Sequence, residues 1–232
     1  MARAGAITEL EVPRGVRTVV VYGGTFDPVH EGHLRPAVAV MRKFGKAGLL
    51  VYVPAGRSPF KKGGPVASDE DRVAMLKLAI GKAAVVWTDE IDRARDGAAS
   101  YMITTVRRLR KLVGKGVVLR LLIGSDQAAS FHRWKDARAL VRLAEPLVMM
   151  REPIATAEAL RAAIEGAGYW RAGEIEAWMG RVATTKVVEG EATRVREGAA
   201  RGAKGAFEHV PEVVRKYVEE RGIYGSAGKS EI

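Results

Sequence analysis

The sequence predicts an α/β fold, an open parallel sheet of about five or six strands with helices on both faces. Short apolar runs alternate with longer amphipathic segments along most of the chain, as in a parallel sheet covered by helices. Within the runs Val, Leu and Ile stand on successive rather than alternate residues, which marks strands buried on both faces. At 232 residues, 47% hydrophobic and 28% charged, the chain suits one sizeable domain with its own core.

Strands are expected at Thr18–Tyr22, Leu49–Pro54, Val85–Thr88, Leu119–Gly124 and Leu147–Arg151. A helix over Leu34–Phe44 follows the first, and Ser68 and Asp71 have capping-box spacing at the start of a helix over Ser68–Ile80. Further helices are expected over Ser100–Leu112 and Ile154–Ala167, with Arg181–Val188 as a sixth strand. The stretch EGEATRVREGAARGAKGAF (189–207) is small, polar and poorly periodic. Beyond it Val210, Val213, Val214, Tyr217 and Val218 recur at helical spacing, with Pro211 suited to a first turn. Residues 1–16 read as a flexible arm without the apolar core of a secretory signal, 17–225 as a single domain, and 226–232 as a disordered tail. Gly-Lys-Ser in that tail is not a phosphate loop, since no glycine stands five before Gly228 and no strand or helix brackets it.

The chain has no cysteine, which excludes disulfides and thiolate metal sites and makes a reducing cytoplasm the expected location. No apolar run approaches the roughly 20 residues of a membrane-spanning helix. Against 27 acidic residues stand 38 Lys and Arg, a net charge of +11, which favours anionic partners such as phosphorylated small molecules or nucleic acid.

Chemistry concentrates in VVVYGGTFDPVHEGHL (19–34). Gly23 and Gly24 end the first apolar run, where backbone N–H groups can approach a ligand with no side chain in the way. His30 and His33 stand three apart around Gly32 at a helix N-terminus, which favours a phosphate. The same residues also fit a plain turn flanked by surface histidines. Zinc is disfavoured, because no carboxylate joins the two histidines at ligand spacing.

GTFDPVHEGHL resembles the motif of the nucleotidylyltransferase superfamily, with its His-x-Gly-His after the first strand, and its longer form resembles nicotinate-nucleotide adenylyltransferases. VPAGRSPFKK (53–62), DRVAMLKLAI (71–80), EIDRARDGAASY (90–101) and above all LLIGSDQAASFHRWKDARALVRLAEPLVMMRE (121–152) resemble later blocks of that family in order. The resemblance covers roughly residues 18–200 and implies a Rossmann-like nucleotidylyltransferase fold. It implies transfer of AMP from ATP to the phosphate of nicotinate mononucleotide, releasing pyrophosphate and forming deamido-NAD. Catalytic contacts to phosphate would come from His30, His33, Lys61 and Arg196, and ATP would be lined by Gly24, Thr25, Phe26, Gly124, Asp126, Arg151 and Thr193. Tyr101, Met102 and Trp134 would meet the acceptor, with Trp134 stacking on its pyridine ring. A Mg²⁺ ion would be held mainly by the ATP phosphates, so no protein metal site is expected.

Departures from the family pattern accompany this resemblance. Glu191-Ala192-Thr193-Arg194-Val195-Arg196 stands where the family usually has Ser-Ser-Thr-x-Ile-Arg, and a carboxylate beside phosphate is repulsive. Phe60 replaces a histidine in Ser58-Pro59-Phe60-Lys61, and Met102 replaces a threonine beside the expected pyridine pocket. Nicotinamide mononucleotide or phosphopantetheine remain alternative acceptors, and a non-catalytic RNA-binding relative is the rival from another class. Against RNA, the basic residues are dispersed and aromatics are 6% of the chain. A homo-oligomer is compatible with the sequence, and a membrane partner is not expected.

Overall fold

Val19, Val20, Val21 and Tyr22 are all buried, so consecutive side chains of one strand need cover on opposite sides. The computed structural model, which describes residues 7–57, 64–185, 187–188 and 190–225, supplies it. Strands β1 (Thr18–Gly24), β2 (Gly48–Pro54), β3 (Val85–Val86), β4 (Val118–Gly124) and β5 (Glu145–Met149) form one parallel sheet in the order β3-β2-β1-β4-β5. Val19, Val21, Leu121 and Ile123 face α4 (Met102–Val113), α6 (Ala137–Leu143), α7 (Ala157–Gly166) and α8 (Ala172–Met179), around buried Trp178. Val20, Tyr22, Leu50 and Leu122 face α1 (Glu31–Met41), α2 (Asp69–Ile80), α9 (Ala192–Ala200) and α10 (Glu212–Glu220). Each full burial of such a Val or Leu contributes about 1.5–3 kcal/mol, so the two-sided core is the main stabilising element.

The expected α/β sheet is present, with five strands among the described residues rather than six. Among the described residues of Arg181–Val188, only Val182 bridges to the sheet, beside Val148, and Val187 is 41% exposed. Thr184 and Thr185 interrupt the apolar residues, and the segment lies parallel to β5 at Val148, whose N–H donates to the Arg181 carbonyl and whose carbonyl accepts from the Ala183 N–H. Elsewhere boundaries move. The first helix starts at Glu31, the third expected strand shortens to two residues, and β5 starts two residues before the expected Leu147. The helix expected from Ile154 starts at Ala157, because Arg151 and Ile154 close a turn and Thr156 caps the helix, its hydroxyl accepting from the Ala159 N–H. Short α3 (Asp89–Arg95), α5 (Ser125–Ala129), α6 and α8 had no periodic signal, and α9 lies inside the poorly periodic stretch, burying only Val195, Gly198 and Ala199. Within the expected N-terminal arm, residues 7–16 are packed: Ile7, Leu10, Val12 and Val16 lie on the core, and Trp87 Nε1 donates to the Thr8 carbonyl at 2.9 Å. The expected tail, 226–232, lies outside the described residues.

Beneath one wall of the future site sits a buried charge cluster. Asp89 is 0% exposed, and its carboxylate accepts from Arg93 Nε at 2.9 Å and from Arg108 Nε at 2.9 and 3.0 Å. Arg93 also donates to Thr105 Oγ1 at 3.0 Å, which in turn donates to Glu90 at 2.5 Å. These bonds pin α3 to α4. Removing one partner of a buried ion pair leaves its counter-charge uncompensated. Asp89→Ala is therefore expected to lower stability by about 3–5 kcal/mol, read by urea unfolding. A loss under about 1 kcal/mol would show the two arginines escaping to solvent.

Candidate active site

In an open α/β sheet the ligand crevice lies past the carboxyl ends of the strands, where the strand order reverses. Here that point is between β1 and β4, since β2 and β3 extend to one side of β1 and β4 and β5 to the other. A cleft of about 430 Å³ opens there. Two of its walls depend on missing side chains. A Cβ on Gly23 would stand 2.4 Å from the Met102 methyl, and one on Gly124 would stand 2.4 Å from both Arg151 Cδ and Asp126 Oδ1. Gly23 thus admits Met102 across the end of β1, and Gly124 lets Arg151 and Asp126 meet.

The loop after β1 is tightly held. Phe26 has φ +50°, a left-handed conformation costing a bulky residue about 1–3 kcal/mol, and its ring is buried edge-on against Tyr22, Tyr52 and His33. Asp27 restrains the next residue. Its carboxylate, 2% exposed, accepts from the Val66 N–H at 2.8 Å, the Ala67 N–H at 3.1 Å and the Tyr224 hydroxyl at 2.6 Å. Its carbonyl accepts from Arg196 at 2.6 Å. Arg196 also donates to Thr193 Oγ1 at 3.2 Å, so both face the cleft together.

The histidines close this end. His30 precedes α1, and its ring lies 3.8 Å from that of His33, tilted by 35°. The His30 N–H donates to His33 Nδ1 at 3.4 Å, so a neutral His33 carries its proton on Nε2. His30 Nδ1 is buried with no hydrogen-bond partner, and Gly190, at φ +144°, lies so close that its Cβ would be 2.6 Å from that nitrogen. Burial first, then the positive charges of Arg151 and His209, push the His30 imidazole down to about 4. His30 is neutral at pH 7.

The other end is aromatic. Trp134 stacks on buried Phe131, centroids 4.7 Å apart at 20°, which leaves one indole face to the cleft. The Lys135 ammonium sits 4.6 Å over the Tyr101 ring. Glu90 and Ser100 line the same end, and burial pushes the Glu90 carboxyl up.

Most of the sequence-expected site residues gather on this one cleft: His30, His33, Arg196, Gly24, Thr25, Phe26, Asp126, Arg151, Thr193, Tyr101, Met102 and Trp134. Gly124 does not line it and acts from behind, as the N-cap of α5, a position that Asp126 therefore does not take. Asp126 lies 3.5 Å from Arg151, and its Oδ1 has no hydrogen-bond partner. Lys61 lies outside the described residues. Glu191 is exposed at the start of α9 and lines the cleft with Thr193 and Arg196. Asp27, Glu90, Gln127 and Lys135 also line the cleft but drew no notice in the sequence. Asp27 in Phe-Asp-Pro and Lys135 next to Trp134 were the available signals.

Residues 21–191 match the family model described as "Cytidylyltransferase-like". A protein of Desulfatibacillum aliphaticivorans named "Probable nicotinate-nucleotide adenylyltransferase" is 33% identical over 220 residues, covering 88% of this chain and 98% of that protein. One of the same name from Neisseria meningitidis serogroup C is 30% identical over 217 residues, covering 90% and 99%. Among solved structures, Plasmodium falciparum nicotinic acid mononucleotide adenylyltransferase complexed with NaAD superposes with a TM-score of 0.66 at 11% identity, over 90% of this chain and 98% of that one.

The His30 geometry has a consequence for stability. Between pH 6.5 and about 4 the unfolded chain binds a proton at this imidazole that the folded chain does not. Stability from this residue is therefore complete above pH 6.5 and is lost as pH falls toward 4. The difference in unfolding free energy between wild type and His30→Gln should shrink across that window. A pH-independent difference in urea unfolding would contradict the buried neutral state.

Proposed function

This chain belongs to the cytidylyltransferase-like family, among its nicotinate-nucleotide adenylyltransferases, and on that premise we propose that the cleft transfers AMP from ATP to the phosphate of nicotinate mononucleotide. The products are pyrophosphate and deamido-NAD, an intermediate of NAD biosynthesis. The observation that carries this reading is the two-ended cleft, with paired imidazoles and Arg196 at one end and Tyr101 and Trp134 at the other.

Chemistry follows from that layout. An oxygen of the acceptor phosphate attacks the α-phosphorus of ATP, and the bond to the bridging oxygen of the β-phosphate breaks. The nucleophile is already an anion, so no general base is required. Catalysis consists of positioning the two phosphates and stabilising charge on the α-phosphoryl group and the departing pyrophosphate. His30 and His33 would supply imidazole N–H donors, and Arg196, hydrogen-bonded to Thr193, would supply fixed positive charge in the same cleft. Gly24, Thr25 and Phe26 offer backbone groups to the nucleotide. Asp126 Oδ1, without a hydrogen-bond partner, would accept from a ribose hydroxyl, with Arg151 beside it. Trp134 offers its open face to the pyridine ring.

Among the described residues, no three His, Asp or Glu side chains gather as a metal site. We infer that a Mg²⁺ ion would be held mainly by the ATP phosphates. When bound, that ion neutralises phosphate charge. Glu191 opposes phosphate binding and marks this site as more weakly cationic than the hydroxyl-rich family pattern. A cytoplasmic location is supported by the absence of cysteine, and among the described residues no helix is long and apolar enough to cross a membrane.

His30→Ala should lower kcat by about 10²–10³-fold with the fold intact, as expected for loss of a preorganised charge-stabilising donor. Pyrophosphate release at the wild-type rate in that variant would remove His30 from the mechanism. Trp134→Ala should raise KM for the acceptor far more than KM for ATP. Equal increases in both would show that Trp134 supports the whole cleft rather than one substrate.

A further inference from the structure

We propose that the N-terminal arm, residues 7–16, sets the shape of the cleft's acceptor end, with Thr8 as a positioning residue that acts through α3. This deepens the adenylyl-transfer reading above and rests on it for the identity of the acceptor. Thr8 grips α3 twice. Its hydroxyl donates to Asp92 Oδ2 at 2.7 Å, in the middle of the helix. Its carbonyl accepts at 2.9 Å from Nε1 of Trp87, just before the helix. Trp87 is 1% exposed, so detaching the arm would leave a buried indole N–H unpaired. Ile7, Leu10, Val12 and Val16 hold the rest of the arm on the same core.

The other side of α3 carries a wall of the cleft. At seven residues the helix is too short to hold its place alone, so its neighbours decide where it lies. Glu90 stands two residues before Asp92 and so faces away from the arm. It lines the cleft and accepts from Thr105 Oγ1 at 2.5 Å, while Asp89 holds Arg108, and both partners belong to α4. The same α4 starts at Met102, with Tyr101 as its N-cap, and these two residues also line the cleft. A shift of α3 is therefore passed to Glu90, Tyr101 and Met102 together, through close-packed contacts. The phosphate end stands apart from this path. His30, His33 and Arg196 come with α1 and α9, which cover the opposite face of the sheet from the arm. Thr88 also donates to Asp92 Oδ2, at 2.9 Å, so that carboxylate keeps a hydroxyl partner when Thr8 is lost and α3 need not unfold.

The experiment compares wild type, Thr8→Val, Thr8→Ser and Leu10→Glu in the full chain. Hydrogen–deuterium exchange reads the arm and the wall, and pyrophosphate release from ATP and nicotinate mononucleotide reads the cleft. Thr8→Val and Leu10→Glu are expected to speed exchange in residues 7–16 and in residues 89–105. They should also raise KM for the acceptor about 5- to 30-fold, with KM for ATP and kcat within about twofold of wild type. Thr8→Ser keeps the hydroxyl and should match wild type in every readout. Faster exchange in the arm with an unchanged acceptor KM overturns the proposal, as does unchanged exchange in both disruptive variants. Equal rises in both KM values with a lower urea midpoint overturn it too, because the arm would then serve only the fold. Failure of the underlying reading looks different: wild type itself would release no pyrophosphate from the two substrates, whatever the exchange pattern.

Discussion

The loop that follows β1 is held in place by one buried carboxylate. Asp27 gathers Val66, Ala67 and Tyr224 onto its side chain and Arg196 onto its carbonyl, so segments from four parts of the chain converge beside the two histidines. A buried carboxylate with several donors is strongly stabilised, whereas the same group with a donor missing carries a desolvation cost of about 1–3 kcal/mol or more. The loop therefore has one arrangement that satisfies Asp27. That arrangement also sustains the unfavourable backbone of Phe26 and sets where His30 begins α1.

Around this anchor the cleft is organised by contrast between its ends. Where the histidines and Arg196 line the cleft, the fixed charge is that of Arg196, while His30 is buried and neutral and its Nδ1 has no partner. A bound triphosphate would supply both a hydrogen-bond acceptor and the negative charge that favours an imidazolium. At the ring end the surfaces are aromatic and a single ammonium rests on one of them. Glycines make the joints between the ends, since Gly23, Gly124 and Gly190 each occupy points where a side chain would collide with Met102, Arg151 or His30.

The sequence revealed the parts whose causes are local. Consecutive β-branched residues ending in two glycines, then two histidines at helix-start spacing, are dictated by the strand, the turn and the α1 N-terminus themselves. Family resemblance supplied Tyr101 and Trp134, which lie on separate segments and carry no local mark of a shared pocket. What stayed hidden depends on distance along the chain. Tyr224 is 197 residues from Asp27, and Arg196 is 169 residues away, so neither contact can be read from spacing. Helix α9 escaped notice because it buries a valine, a glycine and an alanine in place of a broad apolar stripe. Lys135 read as one more surface cation in a chain with a net charge of +11.

The central claim is that the space against His30 receives the phosphates of ATP. Its most direct test is an NMR pH titration of the His30 imidazole, with and without a non-hydrolysable ATP analogue. Free protein should titrate near 4, and saturation with the analogue should move the midpoint upward, toward or past the ordinary value of 6.5. A midpoint that stays near 4 while the analogue is bound would put the triphosphate elsewhere and contradict the account.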